Sequence, residues 1–249
     1  EGWGPASVVG LHRLIRAAIN DEVRLGVLDR NPAARAQTPK VPKRTSTVPS
    51  ITEVARLIES VSAHNPPFAL LIRTAVETTA RRGELAALRW ADFDSSSQTI
   101  TFSGAITRSR GENIRKSTKA EESRRVVPIS AELAESLVEY RKTMTETHAR
   151  CGQTVAPTTP IWTRGTTLNP IELGHISQAF RKEANRIGLS ARFHDLRHSG
   201  ITEMLAGGVD PVTAASISGH STPTVLLNVY GHVVERRRRD ATSVISSGL

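Results

Sequence analysis

Four prolines divide the chain into two unequal parts, because proline lacks a backbone N–H and clashes with the preceding turn of a helix. They stand at Pro32, Pro39, Pro42 and Pro49. No continuous helix can therefore join the first 30 residues to those that follow residue 50. The segment 31–49 is also basic, with five Lys or Arg side chains between Arg30 and Arg44 and no acidic residue after Asp29 in that stretch. We interpret it as an extended basic linker that could lie along a phosphate backbone, an ordinary solvated linker being the alternative.

The first part, residues 1–30, has the apolar spacing of a single helix. Its apolar residues recur every three to four positions, which predicts helix throughout the segment. They are Leu11, Leu14, Ile15, Ala18, Ile19, Val23, Leu25 and Val27. One helix cannot bury its own apolar face. We therefore expect this segment to be the last part of a helical domain whose beginning is absent.

The second part, residues 50–249, alternates helix signals with one stretch that loses them. Ser50 and Glu53 have the pattern of a capping box, and further helices are predicted at about 67–78, 83–90 and 131–148. Between residues 92 and 118 turn residues replace the helical period, and β-branched runs stand at Thr99–Phe102 and Arg125–Ile129. These runs predict a small antiparallel sheet of two or three strands. Residues 150–170 read as a loop, and helices dominate beyond it. The predicted fold class is mainly α with a small antiparallel β-sheet (α+β).

The charge of the chain indicates a polyanionic partner. Its 33 Lys and Arg residues against 24 Asp and Glu residues give a net charge of +9, and 27 of the 33 are Arg. Arg binds phosphate oxygens bidentately, although a base-composition bias in the source genome would explain the ratio of Arg to Lys equally well. Aromatic residues make up only 4%, which argues against stacking on single strands and favours double-stranded DNA.

The cysteine content and the hydropathy of the chain indicate the cellular location that we expect for it. Cys151 is the single cysteine, which excludes an intrachain disulfide framework and a cysteine zinc cluster. No apolar run reaches the length of a membrane helix. We expect a cytoplasmic protein with no membrane partner.

Several side chains in the second part are suited to chemistry, although each also has a plain structural explanation. His194 and Arg197 would share one face of a helix, but a chain with this many His and Arg residues contains about one such pair by chance. Arg81 and Glu84 have the same spacing, which also describes a surface ion pair. Lys119, shortly before RRVVPI, could be a solvated lysine at a strand edge.

Two helix signals near the end of the chain place a histidine in a turn. Asp210 and Pro211 mark a helix start that Gly219 ends, and a second start follows at Thr222 and Pro223. His220 therefore lies between two helices, and Tyr230 lies ten residues further on. A tyrosine on an apolar helix is often only a core residue, and the helix–turn–helix outline also suits a DNA-binding protein without catalysis.

The combination and order of these residues resemble the tyrosine recombinase (phage integrase) family. The matching segments are ARRGELAALRW, a hairpin lysine followed by SRRVVPI, FHDLRHS, SGHST and NVYGH. The resemblance covers residues 50–235 as a catalytic domain, and 1–45 resemble the end of a core-binding domain with its linker. The chain departs from the family pattern at Thr79, where glycine is common, and at Ser218, where a leucine usually precedes Gly-His. Both are packing or turn positions. Lys116 competes with Lys119, but Lys119 has the family's spacing of nine residues to Pro128.

The resemblance implies a catalytic set, with Glu84 in support. The set is Arg81, Lys119, His194, Arg197, His220 and the nucleophile Tyr230. These residue types suit phosphodiester chemistry, in which guanidinium groups hold the charged oxygens and imidazoles add hydrogen bonds or take the proton of the nucleophile. Nearby cations would have to offset the phenol pKa of Tyr230, which is about 10 when unperturbed. Lys119 is the candidate acid for the leaving 5′ oxygen, and Glu84 would orient Arg81 or its helix.

The family further implies a 3′-phosphotyrosyl intermediate with a free 5′-hydroxyl, formed without metal, ATP or any other cofactor. The implied function is integration or excision of a mobile element at duplex attachment sites by a homotetramer that clamps the DNA, and accessory DNA-bending proteins are compatible partners. Lys40, Lys43 and Arg44 would contact the DNA backbone. The end of the chain, with Arg236 to Arg239, would form a helix packed on its own or a neighbouring protomer, or a basic tail on DNA. A type IB topoisomerase-like nicking-closing enzyme and a non-catalytic helix–turn–helix protein remain the alternative functions.

Overall fold

A computed structural model of the protein describes residues 3–41, 48–109, 112–117, 124–224 and 226–227. The chain divides into two compact units, Glu1–Ser46 and Thr47–Leu249. The second unit carries the candidate site.

The first unit is one helix followed by a folded-back turn. Helix α1 spans Pro5–Arg24, and none of its residues is buried. The predicted helix to residue 30 is wrong at its end, because Gly26 adopts a left-handed conformation (φ 74°) that stops the helix. A 3₁₀ turn then forms at Pro32–Arg35, where the linker prediction expected no helical turn. Proline is compatible with the first position of such a turn, because the N–H it lacks would have no partner there.

Seven helices of the second unit lie within its described residues. They are α2 (Ile51–Ser62), α3 (Pro66–Thr78), α4 (Arg82–Ala87), α5 (Ala131–Ala149), α6 (Leu173–Arg186), α7 (Asp195–Gly207) and α8 (Pro211–Ser218). The predicted capping box of α2 is present, since the N–H of Ser50 donates to Glu53 Oε2 and the N–H of Glu53 to Ser50 Oγ. Helix α4 ends three residues earlier than predicted, because the chain turns into a 3₁₀ segment at Trp90–Asp92. No helix among the described residues is long and apolar enough to cross a membrane.

The strands form two small antiparallel sheets where one was predicted. Strands β1 (Phe93–Asp94), β2 (Thr99–Phe102) and β5 (Arg125–Pro128) form a sheet in the order β1-β2-β5. Strands β3 (Gly104–Ser109) and β4 (Glu112–Ser117) form a separate hairpin. The hairpin has only one pair of adjacent β-branched residues, Ile106 and Thr107, and β4 is largely polar, so the strand signal that identified β2 and β5 was weak here.

The core of the second unit lies between α2, α3, α5, α6, α7 and the three-stranded sheet. Helix α7 packs closely on α3 at Gly200, where a Cβ atom would lie 2.4 Å from the carbonyl oxygen of Val76. A second, smaller cluster joins the end of α7 to α8 and includes Leu205 and Leu226. Helices α3, α7 and α8 therefore share one packed frame, and this frame positions the candidate site.

Candidate active site

The site is built around the carboxyl end of α8. Gly219 adopts the left-handed conformation (φ 67°), and its N–H donates to Ser216 O at 3.2 Å. The N–H of His220 donates to Ala215 O at 3.0 Å. This pair of bonds is a Schellman motif, which glycine favours because it has no Cβ to clash. The backbone of His220 is therefore fixed by the helix end. The turn that was predicted at this residue is present.

Arg81 reaches this helix end from the start of α4. Its Nη2 donates to Gly219 O at 3.0 Å, and its Nη1 donates to Glu84 Oε1 at 3.0 Å. The backbone N–H of Arg81 also donates to Glu84 Oε2 at 2.7 Å. The pair is thus more than a surface ion pair: Glu84 is buried, while the side chain of Arg81 remains 47% exposed. A guanidinium has five N–H donors, so exposed donors of Arg81 can meet an anion while others hold it in place.

A second arginine, Arg125 at the start of β5, shares the carboxylate of Glu84. Its Nη1 and Nη2 donate to the two oxygens of Glu84 at 3.1 and 2.8 Å, and its Nε donates to Ile217 O at 2.9 Å. The guanidinium also lies over the ring of Phe102, 4.4 Å from its centroid. Burial alone would raise the pKa of Glu84, but its hydrogen bonds and ion pairs with Arg125, and then with Arg81, hold that pKa below its ordinary value.

Arg197, on the first turn of α7, is buried and faces the same helix end. Its Nη1 donates to the carbonyl oxygen of Thr79 at 2.7 Å, and its Nη2 lies 3.1 Å from His220 Nε2 and 3.3 Å from Nδ1. Thr79 caps α3 in the left-handed conformation (φ 50°, ψ 26°), which turns its carbonyl towards Arg197. Arg81 and Arg197 therefore reach the end of α8 from two different helices.

His220 is a neutral side chain at physiological pH. Burial and then the charges of Arg197 and Arg81 together lower its pKa to about 4. Its Nδ1 lies 2.7 Å from the hydroxyl oxygen of Ser218. A neutral imidazole can accept a proton or a hydrogen bond, whereas an imidazolium can only donate.

His194 lies at the beginning of α7 and lines a cavity that it shares with Arg81. The cavity has a volume of about 680 Å³, and its walls carry further basic side chains: Arg82, Arg108, Arg181 and Arg192. Partial burial and the neighbouring rings and charges of His198 and Arg197 lower the pKa of His194. The ring of His198 contacts that of His194 edge to face at 5.2 Å. This wall of the site is thus basic but carries neutral imidazoles.

The remaining predicted residues are not brought to this centre by the described part of the chain. Tyr230, Lys119, Lys43 and Arg44 lie outside the described residues, as do Arg236 to Arg239. Lys40 is exposed in the first unit, and the competing Lys116 is exposed on β4 opposite Ala105. The site residues that the structure brings together are therefore Arg81, Glu84, Arg197 and His220, with His194 on the adjoining wall.

Tyr140, the only tyrosine besides Tyr230, is packed against two tryptophan rings. Its ring stacks on Trp162 at 5.7 Å between centroids and contacts Trp90 at 5.9 Å. Burial raises the pKa of its phenol, which opposes the phenolate form that an attacking tyrosine needs. Tyr140 is therefore a poor rival to Tyr230 as the nucleophile.

Three contributors to the site were not identified from the sequence. Arg125 lies in the SRRVVPI segment, and nothing in the sequence distinguishes it from Arg124. The carbonyl of Thr79 is a backbone group, and only its left-handed conformation directs it at Arg197. Ser218 was noted as a departure from the family pattern, but its contact with His220 depends on the turn that follows it.

Known proteins resemble this chain over most of its length. Residues 50–237 match the model of the phage integrase family. The chain is 25% identical over 265 residues to a XerC-like tyrosine recombinase of Caldanaerobacter subterraneus subsp. tengcongensis, with 99% of this chain and 67% of the relative covered. It is 22% identical to the ICEBs1 integrase of Bacillus subtilis, with 94% of this chain and 62% of the relative covered. The chain thus spans roughly two thirds or less of the length of these relatives.

Solved structures show the same fold. A Tn1549 transposon integrase in complex with a circular intermediate DNA superposes with a TM-score of 0.80 at 16% identity, covering 97% of this chain and 80% of that one. The XerA recombinase superposes with a TM-score of 0.60 at 19% identity, covering 94% of this chain and 75% of that one. The helix-rich fold with small antiparallel sheets is therefore the fold of tyrosine recombinase catalytic domains, as predicted. By its sequence match over residues 50–237, the chain belongs to the phage integrase family.

Proposed function

We propose that this chain carries the catalytic domain of a site-specific tyrosine recombinase that cuts and rejoins duplex DNA for integration or excision of a mobile element. The proposal rests on one observation. Arg81, Arg197 and His220 lie together at the end of α8, and Glu84 holds Arg81 in place. Two fixed cations and a neutral imidazole around one point suit a phosphodiester whose oxygens gain negative charge during attack.

The two arginines bind the non-bridging oxygens of the scissile phosphate. Arg81 offers the exposed part of its guanidinium, and Arg197 is held rigidly by the carbonyl of Thr79. Both stay charged at every relevant pH and need no reorganisation when the reaction begins. Their attraction for the phosphate is strong because Arg197 is buried, where charges are screened less than in water.

Tyr230 is the nucleophile. Its phenol loses a proton to a neighbouring base, the phenolate oxygen forms a bond to phosphorus, and the bond from phosphorus to the 5′ oxygen breaks. Lys119 gives a proton to the leaving 5′ oxygen, and the product is a 3′-phosphotyrosyl linkage with a free 5′-hydroxyl. Because the linkage keeps the energy of the phosphodiester, a 5′-hydroxyl from another duplex can reverse the step and exchange strands. The roles of Tyr230 and Lys119 rest on the family resemblance.

The cavity beside Arg81 supports contact with the DNA backbone. Arg108 and Arg181 are exposed on its walls, with Arg82 and Arg192 beside them. Lys40, Lys43 and Arg44 in the linker are proposed to add contacts further along the duplex. The Tn1549 integrase was solved with DNA, which fits duplex attachment sites as the partner of this chain. We further propose a homotetramer on DNA inside the cell, assisted by accessory DNA-bending proteins.

A recombination assay tests the proposal and separates it from the two alternatives. The protein expressed from its intact gene is incubated with supercoiled plasmids that carry the DNA flanking that gene, beside the variant Tyr230→Phe. The proposal predicts recombinant product with the wild type and none with the variant. Relaxed plasmid without recombinant product would identify a topoisomerase-like enzyme. Equal DNA binding by both proteins without any change of the plasmid would identify a non-catalytic DNA-binding protein.

A further inference from the structure

Ser218 contacts the candidate catalytic histidine through its side chain. The residue is fully buried at the last position of α8, and its hydroxyl oxygen lies 2.7 Å from Nδ1 of His220. The same oxygen lies 2.6 Å from the carbonyl oxygen of Ala214, one turn earlier in the helix. Since leucine is common here in the family pattern, this contact is a feature of this chain.

The direction of both hydrogen bonds of Ser218 follows from the single proton on its hydroxyl group. A serine hydroxyl has one proton to donate, and a carbonyl oxygen can only accept. At 2.6 Å from Ala214 O, the Ser218 hydroxyl donates its proton to that carbonyl, as serine does within helices. Its lone pairs then face Nδ1 of His220 at 2.7 Å, so this nitrogen must carry the hydrogen. The reverse arrangement would leave two bare oxygens in contact at 2.6 Å.

Burial and the charges around the ring keep His220 neutral at physiological pH. The guanidinium of Arg197 lies within 3.3 Å of both ring nitrogens, and Arg81, Arg125 and His198 also act on the ring. A neutral imidazole has one protonated and one bare nitrogen. With the hydrogen on Nδ1, the lone pair available for a proton or a hydrogen bond is on Nε2.

We propose that Ser218 is a positioning residue, which holds His220 in its neutral Nδ1–H tautomer and leaves the lone pair on Nε2. Its effect on DNA cleavage rests on the proposed function, whereas the tautomer does not. A hydroxyl that merely satisfied its own helix carbonyl would leave the tautomer of His220 unchanged when removed.

Nitrogen NMR of the histidine rings tests the tautomer directly. The whole protein is labelled with ¹⁵N-histidine, and the His220 signals are assigned by their loss in His220→Gln. We expect a protonated Nδ1 and a bare Nε2 in the wild type, and the same pattern in Ser218→Thr, which keeps the hydroxyl. In Ser218→Ala we expect Nε2–H to become a major form, because free histidine favours that tautomer. The signals of the other histidines serve as the folding control.

Two results would overturn the proposal. One is a bare Nδ1 in the wild type, which decides the question even if the alanine variant does not fold. The other is an unchanged Nδ1–H pattern in a folded Ser218→Ala. A cleavage assay on nicked duplex adds the functional arm: we expect the single-turnover rate to fall at least about tenfold in Ser218→Ala and to recover in Ser218→Thr, with DNA binding unchanged. Absence of cleavage in the wild type would count against the proposed function and leave the tautomer result standing.

Discussion

At the scale of single residues, Glu84 determines the geometry of the site. One carboxylate holds Arg81 through a side-chain bond and a backbone bond, and it holds Arg125 through both of its oxygens. The side chains of Glu84 and Arg125 are each only 11% exposed. Removing one member of such a pair leaves a buried charge without its partner, which costs far more than the loss of a surface ion pair.

Glu84→Gln is expected to lower the free energy of unfolding by about 3 kcal/mol at neutral pH. The pKa of Glu84 in the folded protein lies below its ordinary value of 4.5. Its stabilisation is therefore complete above the unfolded pKa and is lost as the pH falls through the folded pKa. The difference between wild type and variant should shrink in acid, as measured by urea denaturation at several pH values.

Glu172→Gln is the matched control for that measurement. Glu172 pairs with Arg164 at 2.7 Å, but both side chains are more than half exposed. Its loss should cost less than about 1 kcal/mol. Equal and small effects of the two substitutions would show that the carboxylate of Glu84 does not hold the site together.

The left-handed backbone of Thr79 directs its carbonyl at Arg197, but a threonine side chain is unfavourable in that conformation. A β-branched residue in the left-handed region is strained, and the buried hydroxyl of Thr79 has no hydrogen-bond partner among the residues that the structure describes. Thr79→Gly should relieve the strain and raise the free energy of unfolding by about 1 kcal/mol, which a melting curve would show as a rise of roughly 2–4 °C in Tm.

Thr78→Gly provides the comparison for Thr79→Gly. Thr78 has a helical backbone, and its hydroxyl donates to Thr74 O at 2.6 Å. Glycine there should lower the free energy of unfolding by about 1 kcal/mol, because it raises the conformational entropy of the unfolded chain and relieves no strain. A loss of stability in Thr79→Gly similar to that in Thr78→Gly would contradict the account of strain at position 79.

The candidate site residues could be predicted from the combination and order of the segments that resemble the family, because each local spacing alone also has a plain structural explanation. Arg81 with Glu84, and His220 behind a glycine that ends a helix, could be identified in this way. Arg125 could not, because its role depends on β5 lying beside α8, a contact across 92 residues of sequence. The contact between Ser218 and His220 could not be predicted either, because it requires the left-handed turn at Gly219 in three dimensions.

At the scale of elements, the close packing of α7 on α3 places Arg197. Gly200 lies one turn after Arg197, and a Cβ atom there would lie 2.4 Å from Val76 O and 2.8 Å from the side chain of Thr79. The helices could be predicted from their caps and apolar periods, which are local. Their approach at Gly200 could not, since it depends on contacts between distant segments. The hairpin of β3 and β4 is local, but the strand signal that identified β2 and β5 is weak in its sequence.

Gly200→Ala is expected to push α7 away from α3 and to carry Arg197 with it. The free energy of unfolding should fall by about 1–3 kcal/mol, as for other overpacked interiors, and the DNA cleavage rate should fall as well. Gly174→Ala on α6 is the control, because nothing lies within 4 Å of its added methyl group. Denaturation and cleavage assays on both variants should separate them, and equal behaviour would mean that the contact of α7 with α3 is not tight.

At the scale of the whole molecule, positive charge is concentrated where the proposed substrate would lie. The cavity of about 680 Å³ beside Arg81 collects arginines from α4, β3 and α6 that are far apart in sequence. The net charge of +9 predicted a polyanionic partner, but composition alone could not indicate which face would meet it. The face is determined by the packing of the β3–β4 hairpin beside α4 and α6, which brings these arginines together.

Arg108→Ala and Arg181→Ala should each weaken DNA binding and reduce its dependence on salt. Each phosphate contact that is lost should lower the slope of log affinity against log salt concentration by about one. Arg150→Ala removes the same charge from an exposed position outside the cavity and should leave the slope nearly unchanged. Fluorescence anisotropy over a salt series would measure all three, and equal slopes would show that the cavity does not contact DNA.

The most direct test of the central claim is covalent trapping on nicked duplexes that contain the DNA flanking the protein's own gene. The wild type and Tyr230→Phe, each expressed from the intact gene, are compared on a denaturing gel. We expect a slower protein–DNA band in the wild type that is absent from the variant and leaves a free 5′-hydroxyl. No band in either protein, with duplex binding intact in both, would contradict phosphotyrosyl chemistry at this site.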